Sequence, residues 1–438
     1  MGPLGLVLAF LGTAVAVWEH GVVLDAGSSG TRVLVFRWRA GAPLTSLEQV
    51  RHRKRNPGLS SCAAAGKAEE AQRACSRDAI TEILTVGAAG LDTETIGRAN
   101  VYLRATAGLR LLEPHAREAL LTGAKEAISL SPFASCRSKL ACPRMIDGAE
   151  EAVFDWLSAN TALALVRDTS AAASHTVGAL DLGGASTQIA FAHPSGQYLG
   201  ARTPLYAASR LNFGMNAAFV AVQRASASTG LARGPHPCVV RPAAGAAAAA
   251  AGNFDACLAA VRAWVASSER TGLGGLGPSP PRPPLPRNLP FVAFDNFALT
   301  VGALWGGASA ASAPRGRFPG YAALAELPAP TLREIAERAR ALCRRPWSQL
   351  RAATPAPPAI DGLSDKKLAK ACFSAAYTVS LLGDVYGFDF DERRVAYAEK
   401  LNGFAGSWAL GALAAEIVGG GSAGRAMRAG GRLRDAEL

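Results

Sequence analysis

Two segments of this chain are near copies of each other. One is Val22-Val23-Leu24-Asp25-Ala26-Gly27-Ser28-Ser29-Gly30-Thr31. The other is Gly178-Ala179-Leu180-Asp181-Leu182-Gly183-Gly184-Ala185-Ser186-Thr187. Each is an apolar run, then Asp-x-Gly, then small residues, then Thr. Each leads into a second apolar run, Val33-Leu34-Val35-Phe36 and Gln188-Ile189-Ala190-Phe191. Strand, tight Gly/Ser turn and strand read as a β-hairpin. A turn of small residues lets backbone N–H groups approach an anion closely. An Asp at the strand end can hold a cation, or its water, beside that anion. One such hairpin alone is equally an ordinary Gly-rich turn. Two copies imply a duplicated unit with two phosphate loops facing across a cleft.

At 438 residues the chain is long enough for two or three domains. With 49% hydrophobic and 18% charged residues it is globular rather than disordered. The net charge of +12 is spread along the sequence and favours polyanionic substrates such as nucleotides. Its densest stretch, Arg51-His52-Arg53-Lys54-Arg55, has no interleaved aromatics, so it reads as a solvated loop and no nucleic-acid partner is expected. Leu4 to Val17 is almost wholly apolar, and Ala14-Val15-Ala16 fits a small-x-small cleavage site. Residues 1–17 therefore read as a secretory signal, although the usual basic start is missing. The run is shorter than the ~20 apolar residues a span needs, and no second one follows, so no transmembrane anchor is expected.

Eight cysteines fall into sequence-local couples: Cys62/Cys75, Cys136/Cys142, Cys238/Cys257 and Cys343/Cys372. An even count after a signal-like segment suggests disulfides and a secreted or endomembrane-lumenal location. Cys136 and Cys142 lack a second Cys/His pair that would complete a zinc site. No Asn-x-Ser/Thr sequon occurs.

Strand-like and helix-like runs alternate through the first half, as in an α/β domain. Asp78–Leu84 and 114–130 read as helices, and Asn100–Leu103 as a strand. Ala243–Gly252 is an Ala/Gly tract, and 278–290 is a proline-rich linker. The last third reads as helices over 330–343, 363–382 and 408–418.

Three further segments bear on chemistry. Leu103-Arg104-Ala105-Thr106-Ala107-Gly108-Leu109-Arg110 ends a strand in a small, hydroxyl-bearing turn. Asp147-Gly148-Ala149-Glu150-Glu151-Ala152-Val153-Phe154-Asp155-Trp156 sets paired carboxylates at the start of an apolar helix. Ser407-Trp408-Ala409-Leu410-Gly411 lies near the C-terminus. On its own the Glu150/Glu151 pair reads as first-turn acids complementing a helix dipole. The order and content of all five segments resemble the ecto-nucleoside triphosphate diphosphohydrolases, the apyrases, over about Val22 to Leu413.

That resemblance implies an α/β, actin-like fold of two ribonuclease-H-like lobes with the nucleotide between them. Residues 18–146 would form the first lobe, completed by 409–425. Residues 147–408 would form the second, and 426–438 a polar tail. It implies hydrolysis of terminal phosphates from nucleoside tri- and diphosphates with Ca²⁺ or Mg²⁺. Counting back from Trp156 makes Glu151 the general base. Asp25, Thr106, Asp181 and Trp408 would lie at the metal, largely through water; Trp408 also reads as a plain core tryptophan. Ser28, Ser29, Gly30 and Thr31 would form the first phosphate loop. Gly183, Gly184 and Ala185 would form the second. Ser186 and Gln188 would orient the attacking water, and Arg393 would lie on the nucleotide side. The resemblance also pairs Cys343 with Cys372.

There are departures from the family's pattern. Ala152 and Asp155 stand where glycines are usual. The extra carboxylate either alters the metal site or faces solvent. Phe291-Val292-Ala293-Phe294-Asp295-Asn296-Phe297 continues into Ala298-Leu299, where relatives have tyrosines that stack on the base. The competing readings are another actin-fold phosphotransferase, an exopolyphosphatase or sugar kinase, and a catalytically silent binding protein of the same fold.

Overall fold

The computed structural model describes residues 17–42, 44–64, 68–134, 143–166, 175–194, 196, 198–200, 203–228, 236–240, 252–271, 283–306, 312–353 and 364–418. The signal reading, the Cys136/Cys142 couple, the polar tail, most of the Ala/Gly tract and the first part of the proline-rich run lie outside these residues.

Two mixed sheets carry the chain. The first is built from β1 (Trp18–Ala26), β2 (Thr31–Arg39), β3 (Glu48–Arg55), β4 (Asn100–Ala105) and β5 (Arg144–Met145), in the order β3-β2-β1-β4-β5. The second uses β6 (Gly178–Leu182), β7 (Ser186–Ala192), β8 (Tyr198–Gly200), β9 (Thr203–Leu211), β10 (Phe291–Asp295) and β11 (Val395–Tyr397), in the order β11-β10-β6-β7-β9-β8. The helices of the first half are α1 (Glu69–Ala88), α2 (Thr93–Arg98), α3 (Ala107–Arg110), α4 (Pro114–Leu130) and α5 (Gly148–Ala162). Those that follow are α6 (Met215–Ser228), α7 (Phe254–Thr271), α8 (Asn296–Trp305), α9 (Ala322–Ala325), α10 (Leu332–Cys343), α11 (Trp347–Ala353), α12 (Asp365–Ala369), α13 (Ala371–Ser380) and α14 (Ala409–Val418).

The central strands carry apolar runs, over residues 22–24, 178–180 and 291–294, because both their faces are covered there. Val22 and Leu24 pack with α1 and α4, while Val23 between them turns to the opposite cluster. In the second sheet Leu180 and Phe291 pack with α7, α10 and α13, while Ala179 and Val292 turn the other way. The opposite faces of both sheets meet one shared layer, α5 against α14, which carries Trp156, Leu410 and Leu413. The layers are therefore helices, sheet, shared helices, sheet, helices. This is the two-lobe arrangement the resemblance implied, with α5 and α14 joining the lobes.

Both duplicated segments are hairpins. β1 and β2 pair antiparallel, with Asp25 opposite Arg32; β6 and β7 pair with Asp181 opposite Gln188. One expectation is corrected. Arg51 to Arg55 is not a loop but part of β3, the edge strand paired to β2. Its charges suit an edge, where a row of lysines and arginines opposes pairing with another chain.

Disulfides join Cys62–Cys75, Cys238–Cys257 and Cys343–Cys372. The last ties α10 to α13 with both sulfurs in the core. It closes a separation of 29 residues. Constraining the unfolded chain to that extent is worth roughly 3–4 kcal/mol. Replacing both cysteines by alanine is expected to lower unfolding free energy by about that amount in urea titrations. A loss under ~1 kcal/mol would contradict it.

Candidate active site

β1 runs parallel to β4, and β6 parallel to β10. Their C-terminal ends converge on one cleft, as open α/β sheets place their ligand sites. Asp25, Thr106, Asp181 and Asp295 stand at these ends.

The two turns close alike. Gly27 N donates to Gly30 O at 3.1 Å, and Gly183 N donates to Ser186 O at 3.0 Å. They also face each other closely. A Cβ on Gly184 would lie 2.7 Å from Ser28 Oγ, and one on Gly108 would lie 2.7 Å from Ser28 Cα. Glycine is required at 108, where backbone already occupies the space a side chain needs, while at 184 a side chain would have to displace the Ser28 hydroxyl.

The cleft is narrow and partly open, with a cavity volume of about 30 Å³. It brings together Asp25, Ser28, Ser29, Thr106, Glu151, Asp181, Gly183, Gly184, Ala185, Ser186 and Trp408. Gly30 and Thr31 lie just behind the first loop: Gly30 abuts Lys54 and Asn56, and Thr31 is fully buried. Trp408 lines the cleft and also packs on Phe154, with ring centroids 6.5 Å apart. Arg393 is not in this cleft. It forks onto both oxygens of Glu334 at 2.8 and 2.7 Å and donates to Ala329 O. Ala298, at the position where the resemblance implies a base-stacking tyrosine, is buried in α8.

Asp147 caps α5 by accepting from Glu150 N, so the acidic pair occupies the first turn. The two acids then diverge. Glu150 points to Arg144, which forks onto both its oxygens. Glu151 points into the cleft and is 5% exposed. Its Oε2 accepts from Gln188 Nε2 at 3.0 Å and from Arg110. Gln188 is itself held by Ser186 Oγ at 2.8 Å and Ser209 Oγ at 3.1 Å. Burial pushes the Glu151 carboxyl up to about 7, and the Arg110 guanidinium opposes the rise. A carboxyl titrating there has a proton affinity suited to general-base work near neutral pH.

Three contributors were not singled out from sequence: Arg32, Asp295 and Arg110. Arg32 donates to Asp25 Oδ2 at 2.7 Å and reaches Asp295 Oδ2 at 3.4 Å. A signal for it existed, since any β1–β2 hairpin sets the residue after Thr31 opposite Asp25. Asp295 needed the parallel register of β10 on β6. Its φ of 47° is a strained conformation for a non-glycine residue.

Burial raises Asp25, Asp155 and Asp181 above the ordinary carboxylate range. For Asp155 and Asp181 neighbouring carboxylates add to it, while Arg32 pulls Asp25 and Asp181 back down. Asp25 Oδ1, both Asp155 oxygens and Gln188 Oε1 are buried without a hydrogen-bond partner. Oxygen donors with surplus negative charge suit a hard divalent cation. Among the described residues no three Asp, Glu, His or Cys side chains converge closely enough to coordinate one ion directly.

The profile of the GDA1/CD39 (nucleoside phosphatase) family matches residues 16–203 and 323–417. The chain is 29% identical to "Probable apyrase 4" of Arabidopsis thaliana, over 90% of this chain and 78% of that one. It is 32% identical to the nucleoside diphosphate phosphatase ENTPD5 of Homo sapiens, over 46% and 48% respectively. A nucleoside triphosphate hydrolase structure from Neospora caninum superposes with a TM-score of 0.59 at 17% identity, covering 94% of this chain and 95% of that one. The fold is the actin-like one expected from the sequence. Its facing loops and buried Glu151 occupy the matched regions, and the chain is an enzyme of the GDA1/CD39 (nucleoside phosphatase) family.

Proposed function

We propose that this enzyme hydrolyses the terminal phosphate of nucleoside tri- and diphosphates, with water activated by Glu151. The observation that carries the reading is the Glu151 carboxyl, buried at the cleft between the two facing turns and raised by that burial to about 7. Backbone N–H groups of Ser28, Ser29 and of 183–185 bind the phosphate oxygens. Asp25 and Asp181, with Thr106, hold a Ca²⁺ or Mg²⁺ ion through water. The ion supplies charge neutralisation on the phosphates. Glu151 takes one proton from a water held by Ser186 and Gln188. The water oxygen bonds to the terminal phosphorus, and the bond to the bridging oxygen breaks. Orthophosphate and the shortened nucleotide leave. Arg110 and Gln188 fix the orientation of Glu151. The three disulfides favour a secreted or lumenal setting.

The base works as a carboxylate, so kcat/KM rises with pH through its pKa. Arg110 lowers that pKa. The variant Arg110→Gln is therefore expected to move the rising limb to higher pH in a kcat/KM–pH profile. An unmoved limb, or one moved to lower pH, would count against Glu151 as the base.

A further inference from the structure

Asp155 is 1% exposed, and neither carboxyl oxygen has a hydrogen-bond partner. That excludes the solvent-facing reading. It follows Glu151 by one turn of α5, so both side chains leave the same helix face. The charges it meets are Asp181 first, then Glu151, Asp25 and Asp295. A buried carboxyl among other carboxyls, with both oxygens unpartnered, is costly unless it keeps its proton or meets a compensating positive charge. Glu150 is paired with Arg144 and plays no part here.

We propose that Asp155 is a further carboxylate of the cation site, accepting hydrogen bonds from the waters of the divalent ion that Asp25 and Asp181 hold. The inference rests on the cation reading above and adds a residue to it. Asp155 makes the site more negative than the paired loops alone would, and so binds the hydrated ion more tightly. It also makes the ion-free protein less stable, because a buried carboxyl with both oxygens unpartnered is costly whether charged or protonated. The two effects have opposite signs, and a purely structural residue would not give both.

The test uses protein freed of metal by chelation and dialysis. Ca²⁺ and Mg²⁺ are titrated calorimetrically, and thermal unfolding is followed with and without each ion. Asp155→Asn keeps the shape, and Asp155→Ala leaves room for water if Asn does not fold. Removing a group that orients a metal's surroundings typically weakens binding about 10–100-fold. The variant is expected to bind Ca²⁺ more weakly by that factor, to show a smaller ion-induced rise in Tm, and to unfold ion-free at or above the wild-type temperature. Ca²⁺ affinity equal to wild type, or an ion-free Tm below it, would overturn the proposal. A wild-type Tm that ignores both ions would overturn the cation reading itself, and this inference with it.

Discussion

Glu151→Gln is expected to lower kcat by ~10²–10⁴-fold while leaving nucleotide affinity within a few-fold. The amide keeps the side chain's volume and its hydrogen-bonding reach. It cannot take a proton from water. Binding is expected to survive, because on the proposed reading the phosphate oxygens meet loop backbone rather than Glu151. Glu150→Gln is the control. Glu150 is paired with Arg144 outside the cleft, so its loss is expected to cost little. Orthophosphate release and direct nucleotide titration on both variants decide the matter. If Glu150→Gln were the more damaging, the assignment of the base along α5 would be wrong.

Gly411→Ala is expected to destabilise the protein by about 3 kcal/mol or more and to remove most activity. Gly411 of α14 lies against the backbone of α5. A Cβ there would collide with Phe154 O and sit 2.7 Å from Ser158 N. Its own N–H donates to Ser158 Oγ at 2.7 Å. Backbone cannot swing aside as a flexible side chain can, so the two helices must part. α5 carries Glu151, and its displacement moves the base away from the loops. Helix propensity alone would favour alanine by up to ~1 kcal/mol. The steric term is larger, and urea unfolding with phosphate-release assays reads the sign. A variant as stable as wild type would show that the shared helical layer is looser than this packing implies.

The hairpins were legible because an apolar run followed by Asp-x-Gly leaves the backbone few choices. The α5 site was legible because Asp147 supplies a cap just before the acidic pair. β3 was misread because Arg51 to Arg55 lacks any apolar alternation; an exposed edge strand needs none. Asp295 carries no local signal of a site carboxylate, because it closes an otherwise apolar strand. Its place beside Asp25 depends on β10 pairing with β6 across more than a hundred residues of chain, which no local pattern encodes. Arg393 was placed on the nucleotide side by resemblance of its loop, whereas its guanidinium is taken up by Glu334. Asp155 stayed ambiguous because burial of a helix face depends on which partner covers it, here α14 and the second sheet.

The central claim is metal-assisted hydrolysis of nucleotide phosphates in the cleft between the two loops. Its most direct test is orthophosphate release from ATP, ADP, GDP, UDP and inorganic polyphosphate, each with Ca²⁺, Mg²⁺ or excess chelator. The expected result is release from the nucleotides with either ion, loss in chelator, and recovery when the ion is restored. Activity unchanged in excess chelator, or release from polyphosphate alone, would contradict it.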